Sequence, residues 1–130
     1  MKGVVRWTGE QNYEAEDEAG VVVPIYTEDS HSPMQMVLMA HGTCSMIDII
    51  GGLKHRVENV RACWVELDAE RAEESPRRFT AVTMRYVIEG DVPRKLVERI
   101  IEQSHAKYCS VGAMVVGAGA TLDWELDLRA

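Results

Sequence analysis

The pattern of apolar and polar positions along the chain changes period several times, and each change marks an element. Near the start, "VVRW" and "VVVPIY" are β-branched and aromatic, as strands prefer, and polar turn-rich sequence separates them. Tyr13 to Glu16 within that interval reads as a further short strand. At Ser32-Pro33 the pattern changes to a helix. Serine suits the cap, proline the first helical position, and Gln35 lies three residues after the serine as in a capping box. The predicted helix runs to about Arg56, with its charge gathered in "KHR" at the end that favours cations. The part before that is apolar on every side, which predicts a helix buried all round. A domain of this size has little room to enclose such a helix alone, so an oligomer interface is expected there. Ala40, Gly42, Thr43 and Ser45 are small enough to let it pack closely.

Strict alternation follows. Cys63, Val65, Leu67 and Ala69 share one face, Glu66, Asp68 and Glu70 the other, and after "EESPRR" residues Val82, Met84, Tyr86 and Ile88 alternate again. Two such strands joined by a polar turn predict an antiparallel hairpin. Asp91 is placed as the cap of a second helix with Pro93 in its first turn. Val97, Ile100, Ile101, Ser104 and Tyr108 fall on one face of that helix. A shorter helix over "CSVGAMVVGAG" and a closing strand, "TLDWELDL", with Leu122, Trp124, Leu126 and Leu128 facing inward, complete an α+β domain over residues 1–130.

Composition narrows the functional classes. With 130 residues, 46% apolar and 27% charged, the chain is globular, and its formal charge of -7 argues against binding a nucleic-acid backbone. The N-terminus lacks the apolar core of a signal peptide, and His41 and Asp48 interrupt the longest apolar run before it spans a bilayer. A soluble, cytoplasmic protein with no membrane partner is expected. Three cysteines, an odd number in a chain this long, do not make a structural disulfide framework.

The cysteines differ in kind. Cys63 sits mid-strand on an apolar face and reads as a small hydrophobe. Cys44, in "HGTCS", and Cys109, in "KYCSV", lie in or near helix starts among small and polar residues. Such surroundings push a thiol toward the nucleophilic thiolate, Cys109 with Lys107 nearby more than the mid-helix Cys44. Among the four histidines and three cysteines there is no C-x2-C, and only His41 and Cys44 share a helical face at short range, so no metal or other cofactor is expected. His41, Cys44 and Asp48 share one helical stripe at i, i+3 and i+7. A triad needs demonstrated geometry, and a pairing of Asp48 across an interface is the plainer reading.

"SPMQMVLMAHGTCSMIDIIGGLKHR", "ERAEESPRRFTAVTMRYVIEG" and "QSHAKYCSV" together resemble the OsmC/Ohr family of thiol-dependent peroxidases, over nearly the whole chain from Ser32 onward. The chain is most similar to the short OsmC-like branch with "YCSV" at its second cysteine. The resemblance implies antiparallel sheets wrapped around long central helices in an intertwined homodimer. It also implies that Cys44 attacks an organic hydroperoxide and that Cys109 resolves the sulfenic acid as a Cys44–Cys109 disulfide, which a dithiol reductant then opens. Two family features differ here. Met34, followed by Gln35, stands where the peroxidases carry a glutamate, and "PIYTEDSH" holds no arginine to pair with it. Gln35, His41 and Asp48 are the candidate supporting residues. The alternative is a redox-sensing or small-ligand-binding module whose cysteines do no multiple-turnover chemistry.

Overall fold

A computed structural model describes residues 1–130. The chain forms two compact units, Met1–Val37 and Leu38–Ala130.

The first unit is an antiparallel meander in the order β1 (Gly3–Gly9), β2 (Asn12–Asp17), β3 (Val22–Ile25). The short strand expected around Tyr13 is its middle strand, pairing Trp7 with Tyr13 and Tyr13 with Ile25. The Asp17 carboxylate closes the second turn, accepting from the amides of Ala19 and Val21 at 2.9 and 3.0 Å. Helix α1 (Pro33–Leu53) begins in this unit as its sequence predicts, with the Ser32 hydroxyl accepting from the Gln35 amide at 3.2 Å.

The second unit contains the rest of α1 and then β4 (Val60–Arg71), β5 (Phe79–Gly90), α2 (Arg94–Gln103), α3 (Ser110–Gly117) and β6 (Thr121–Arg129). A 3-10 stretch, Lys54–Asn59, replaces the last turn expected of α1, so the "KHR" charges lie beyond the α-helix. Strands β4 and β5 form the predicted antiparallel hairpin, with Val65 opposite Tyr86 and Leu67 opposite Met84. Strand β6 departs from the expected antiparallel sheet, running parallel to β5 with Met84 beside Trp124. The α2–α3 segment lies between them as a crossover, which returns the chain to the end of the sheet where β5 began.

Two helical details also differ from expectation. Asp91 does not cap α2; its amide bonds to the Asn59 carbonyl at 3.2 Å, and the helix starts after Pro93, whose extended ψ of 125° sets the entry. Past α2, a wide π-helical turn (Ser104–Tyr108) breaks the 3.6-residue period. Val97, Ile100, Ile101 and Ser104 are buried as predicted, but Tyr108 is turned out to 62% exposure.

The core lies between the inner face of β4-β5-β6 and the helices. Val82, Met84, Tyr86 and Ile88 are sealed from solvent, as are Ile49, Leu53, Val97 and Ile101. Helix α1 contributes one stripe, His41, Gly42, Ser45, Ile49 and Leu53, at the i, i+4 spacing of a single packed face. Within one chain it is therefore not buried all round: Ile47 remains 66% exposed and Val37 39%. Of the small residues expected at an interface, Gly42 and Ser45 face the protein's own interior, and Ala40 and Thr43 are exposed. The run Pro33–Asn59 is long and apolar enough to cross a membrane by length and composition, with mean hydropathy 1.4. Its covered stripe, though, holds a histidine and a hydrogen-bonded serine, which suits a protein interior.

Gly90 fixes the join between β5 and the start of β4. Its φ is 154°, and a Cβ there would collide with the Asn59 carbonyl oxygen and lie 2.9 Å from Val60 Cα. Both obstacles are backbone, which cannot swing away. Gly90→Ala is therefore expected to lower unfolding free energy by at least about 2 kcal/mol, and a urea melt with an unmoved midpoint would contradict this.

Candidate functional site

The site is built where α1 crosses β5 and the crossover segment. Cys44 and Asp48 lie one turn apart on α1, both half-buried, and His41 and Ser45 lie on the same side, fully buried. Opposite them, Cys109 is only 3% exposed and caps α3: its sulfur accepts from the Gly112 amide at 3.3 Å. The structure brings Cys44 near Cys109, where it adds to the rise in the second thiol's pKa. Cys63 stands apart on β4, its thiol 3.8 Å from Met46 Sδ, and burial raises its pKa as expected of an inert filler.

The helix start does not make Cys109 a thiolate. Burial pushes its pKa up to about 11, the Gly112 amide pulls back only in part, and the neighbouring Cys44 and Asp48 add to the rise. The expectation of an ionised Cys109 is therefore corrected: desolvation outweighs the dipole and the single N–H bond.

Gly112 explains how His41 reaches this point. A Cβ on residue 112 would stand 2.9 Å from His41 Nε2 and 3.2 Å from Cys109 Sγ, so only glycine lets the imidazole and the thiol approach the same backbone. Both ring nitrogens of His41 are buried without a hydrogen-bond partner, and burial lowers its pKa. An imidazole so placed is neutral and has a free lone pair next to the thiols.

Asp48 takes part in a hydrogen-bond chain rather than a cysteine triad. Ser104 Oγ donates to its carboxylate at 2.7 Å, Ser104 Oγ lies 3.1 Å from Ser45 Oγ, and Ser45 Oγ lies 2.6 Å from the Tyr86 hydroxyl. The Tyr86 hydroxyl also meets His105 Nε2 at 2.7 Å. The rings of Tyr86, His105 and Trp124 pack against one another with centroids 6.0–6.4 Å apart. Burial, together with the nearby His41, lowers His105 to a pKa of about 4, and burial raises that of Tyr86. Gln35 belongs to the first unit, is exposed, and bonds through its backbone to Ser32. No three His, Cys, Asp or Glu side chains are gathered in a geometry that would hold a metal ion.

Sequence pattern places Tyr86 and Ser104 on apolar faces and His105 only among the histidines. The signal that could have found them is the pattern itself, because a hydroxyl facing a core must have a partner there.

The histidine shifts set a pH dependence. The unfolded chain binds a proton on His105 near its ordinary 6.5, and the folded chain only near 4. Stability is thus fully present above about 6.5 and is lost as pH falls toward 4, with His41 acting in the same direction. Urea titrations at stepped pH should show this decline, and His105→Gln should make it shallower; an identical slope in that variant would refute the assignment.

Comparison with known proteins matches most of the chain to one family. The family model described as OsmC-like protein aligns with residues 26–125. Protein YhfA of Escherichia coli K12 is 35% identical over 119 residues, covering 88% of this chain and 89% of its own. Among solved structures, a hypothetical protein from Aquifex aeolicus VF5 superposes with a TM-score of 0.84 at 26% identity, covering 99% of this chain and 97% of that one. A Legionella pneumophila protein described as an organic hydroperoxide resistance protein OsmC and predicted redox protein superposes at 0.66 and 12% identity, covering 100% of this chain and 98% of that one. At that identity the likeness is one of fold. The family match and the similarity to YhfA together establish that the chain belongs to the OsmC-like protein family.

Proposed function

We propose that this protein is a thiol peroxidase that reduces organic hydroperoxides, with Cys44 as the attacking sulfur and Cys109 as the resolving one. The observation that carries this reading is the juxtaposition of two free thiols from distant parts of the chain. A cysteine kept only for packing needs no partner, as Cys63 shows. The hydroperoxide-resistance role described for the Legionella protein of the same fold supports the substrate class.

The two thiols differ in a way that suits the two roles. Cys44 is half-buried and within reach of a small molecule, whereas Cys109 is sealed and its thiol held protonated by burial. A protonated Cys109 does not compete for peroxide; it acts only once its neighbour has become electrophilic. In the first step the Cys44 thiolate attacks the peroxide, an S–O bond forms, the O–O bond breaks, and alkoxide leaves. In the second, Cys109 sulfur displaces hydroxide from the sulfenic acid, the thiol proton completes a water molecule, and a dithiol later returns both sulfurs to thiols. His41 is the one neutral base with a free lone pair beside Cys109, which suits it to take that thiol proton and hand it on to the departing hydroxide.

One equivalent of cumene hydroperoxide is expected to remove two hydrogens from the intact mass, mapped to a Cys44–Cys109 disulfide. Cys44→Ser should abolish the change, and Cys109→Ser should stop the reaction at a sulfenic acid that a dimedone probe captures. An unaltered mass with all thiols still alkylatable would defeat the peroxidase reading in favour of a ligand-binding or redox-sensing module.

A homodimer accompanies this function. The apolar residues of α1 that a single chain leaves open, Ile47 at 66% exposure and Val37 at 39%, are suited to cover a second copy. Sedimentation should give twice the 14.6 kDa chain mass, and a monomer at micromolar concentration would overturn the assignment.

A further inference from the structure

We propose that His105, Tyr86, Ser45, Ser104 and Asp48 form a one-directional proton path that delivers a proton from His105 to the carboxylate beside the two thiols. The proposal rests on the peroxidase reading for its use, but the ordering of the path follows from geometry alone.

The direction is fixed by donor counting. A carboxylate only accepts, so the single hydroxyl proton of Ser104 is committed to Asp48 at 2.7 Å. Ser104 must then accept from Ser45 at 3.1 Å, and Ser45, its proton spent, must accept from Tyr86 at 2.6 Å. The Tyr86 proton is now committed as well, since the alternative acceptor, Met84 Sδ, is a weak one at 3.6 Å. Tyr86 oxygen can therefore only accept from His105, which assigns the proton of that imidazole to Nε2 and leaves Nδ1 bare. Every bond has one donor and one acceptor, and the three central residues are at most 1% exposed. Only the two ends, His105 and Asp48, are partly open to solvent.

The surroundings keep the path in working form. Groups facing His105 are the Tyr86 and Trp124 rings and, further off, His41, none of them anionic. Burial holds the imidazole neutral at physiological pH, so one nitrogen gives while the other takes, and holds Tyr86 as a phenol. A proton arriving at Nδ1 releases the one on Nε2 to Tyr86. Each hydroxyl then passes its own proton on, and Asp48 becomes a carboxylic acid one helical turn from Cys44. When the O–O bond breaks, the departing alkoxide takes that proton and becomes an alcohol. Ionisation of Cys44 releases one proton and the path supplies one, so oxidation of the thiol is proton-neutral overall. The hydroxyls then turn back, and His105 regains its starting tautomer by taking a solvent proton at Nε2 and losing the one on Nδ1.

The test has two readouts, one of which needs no peroxide. Side-chain ¹⁵N spectra of reduced wild-type protein should show His105 as the Nε2–H tautomer. Ser45→Ala, which removes the acceptor of Tyr86, should turn that phenol toward His105 and convert it to the Nδ1–H form. The second readout is the single-turnover rate of Cys44 oxidation by cumene hydroperoxide. It should fall at least about tenfold in Tyr86→Phe, as expected when general-acid supply is cut, and the solvent deuterium effect of the wild type should shrink with it. An Nδ1–H tautomer in the wild type, or an unchanged rate in a folded Tyr86→Phe, overturns the path. If wild-type Cys44 does not react at all, the peroxidase reading fails by itself. The tautomer pair then decides the path, and an Nδ1–H result or no change in Ser45→Ala rejects it.

Discussion

The 2.6 Å bond between Ser45 and Tyr86 joins the long helix to the middle strand of the second unit, in a place where no water reaches. Beyond the hydrogen-bond chain it belongs to, the packing is apolar and undirected, and would tolerate the helix at several rotations and heights. A short hydroxyl-to-hydroxyl bond tolerates one. Rotating α1 by a residue would strip Ser45 and Ser104 of their partners in the core, at a cost of about 1–3 kcal/mol for each stranded group. The same rotation sets where Cys44 and His41 point, so their placement is fixed by one pair of buried hydroxyls.

The thiols show how burial and local polarity compete. Cys109 occupies the capping position of α3 and accepts a backbone N–H, both of which favour a thiolate. Its pKa nevertheless ends at about 11, because removing a charged sulfur from water costs more than one such bond returns. His41 is on the losing side of the same competition, stripped of water and given no partner. Such unsatisfied buried groups are rare in proteins, and each calls for an explanation.

Much of the fold is legible in the sequence. The alternation of Cys63 to Ala69 and of Val82 to Ile88 locates the hairpin and its inner face, and Ser32-Pro33 fixes the start of α1. What stays hidden depends on choices that a one-dimensional pattern does not encode. Antiparallel or parallel placement of β6 is decided by a crossover whose path depends on tertiary packing. The π turn inserts an extra residue into a helical repeat and turns Tyr108 outward, and no hydrophobic period announces that. For the site, the sequence supplies Cys44, Cys109, His41 and Asp48 as candidates, but of the stripe that suggests a triad only Asp48 enters a hydrogen-bond chain, and that chain leads away from the thiols. Its other members are two serines and a tyrosine that sit at apolar-face positions, and His105.

The parallel pairing of β5 with β6 has a kinetic side. A hairpin closes from neighbouring residues in microseconds, but β6 can find its place only after the whole crossover has folded back across the sheet. Trp124, which closes one wall around His105 and Tyr86, arrives on that strand. The site is therefore among the last parts of the molecule to assemble. Until it does, three free thiols share a loosely packed chain, and premature oxidation could lock them into pairings that the finished fold forbids.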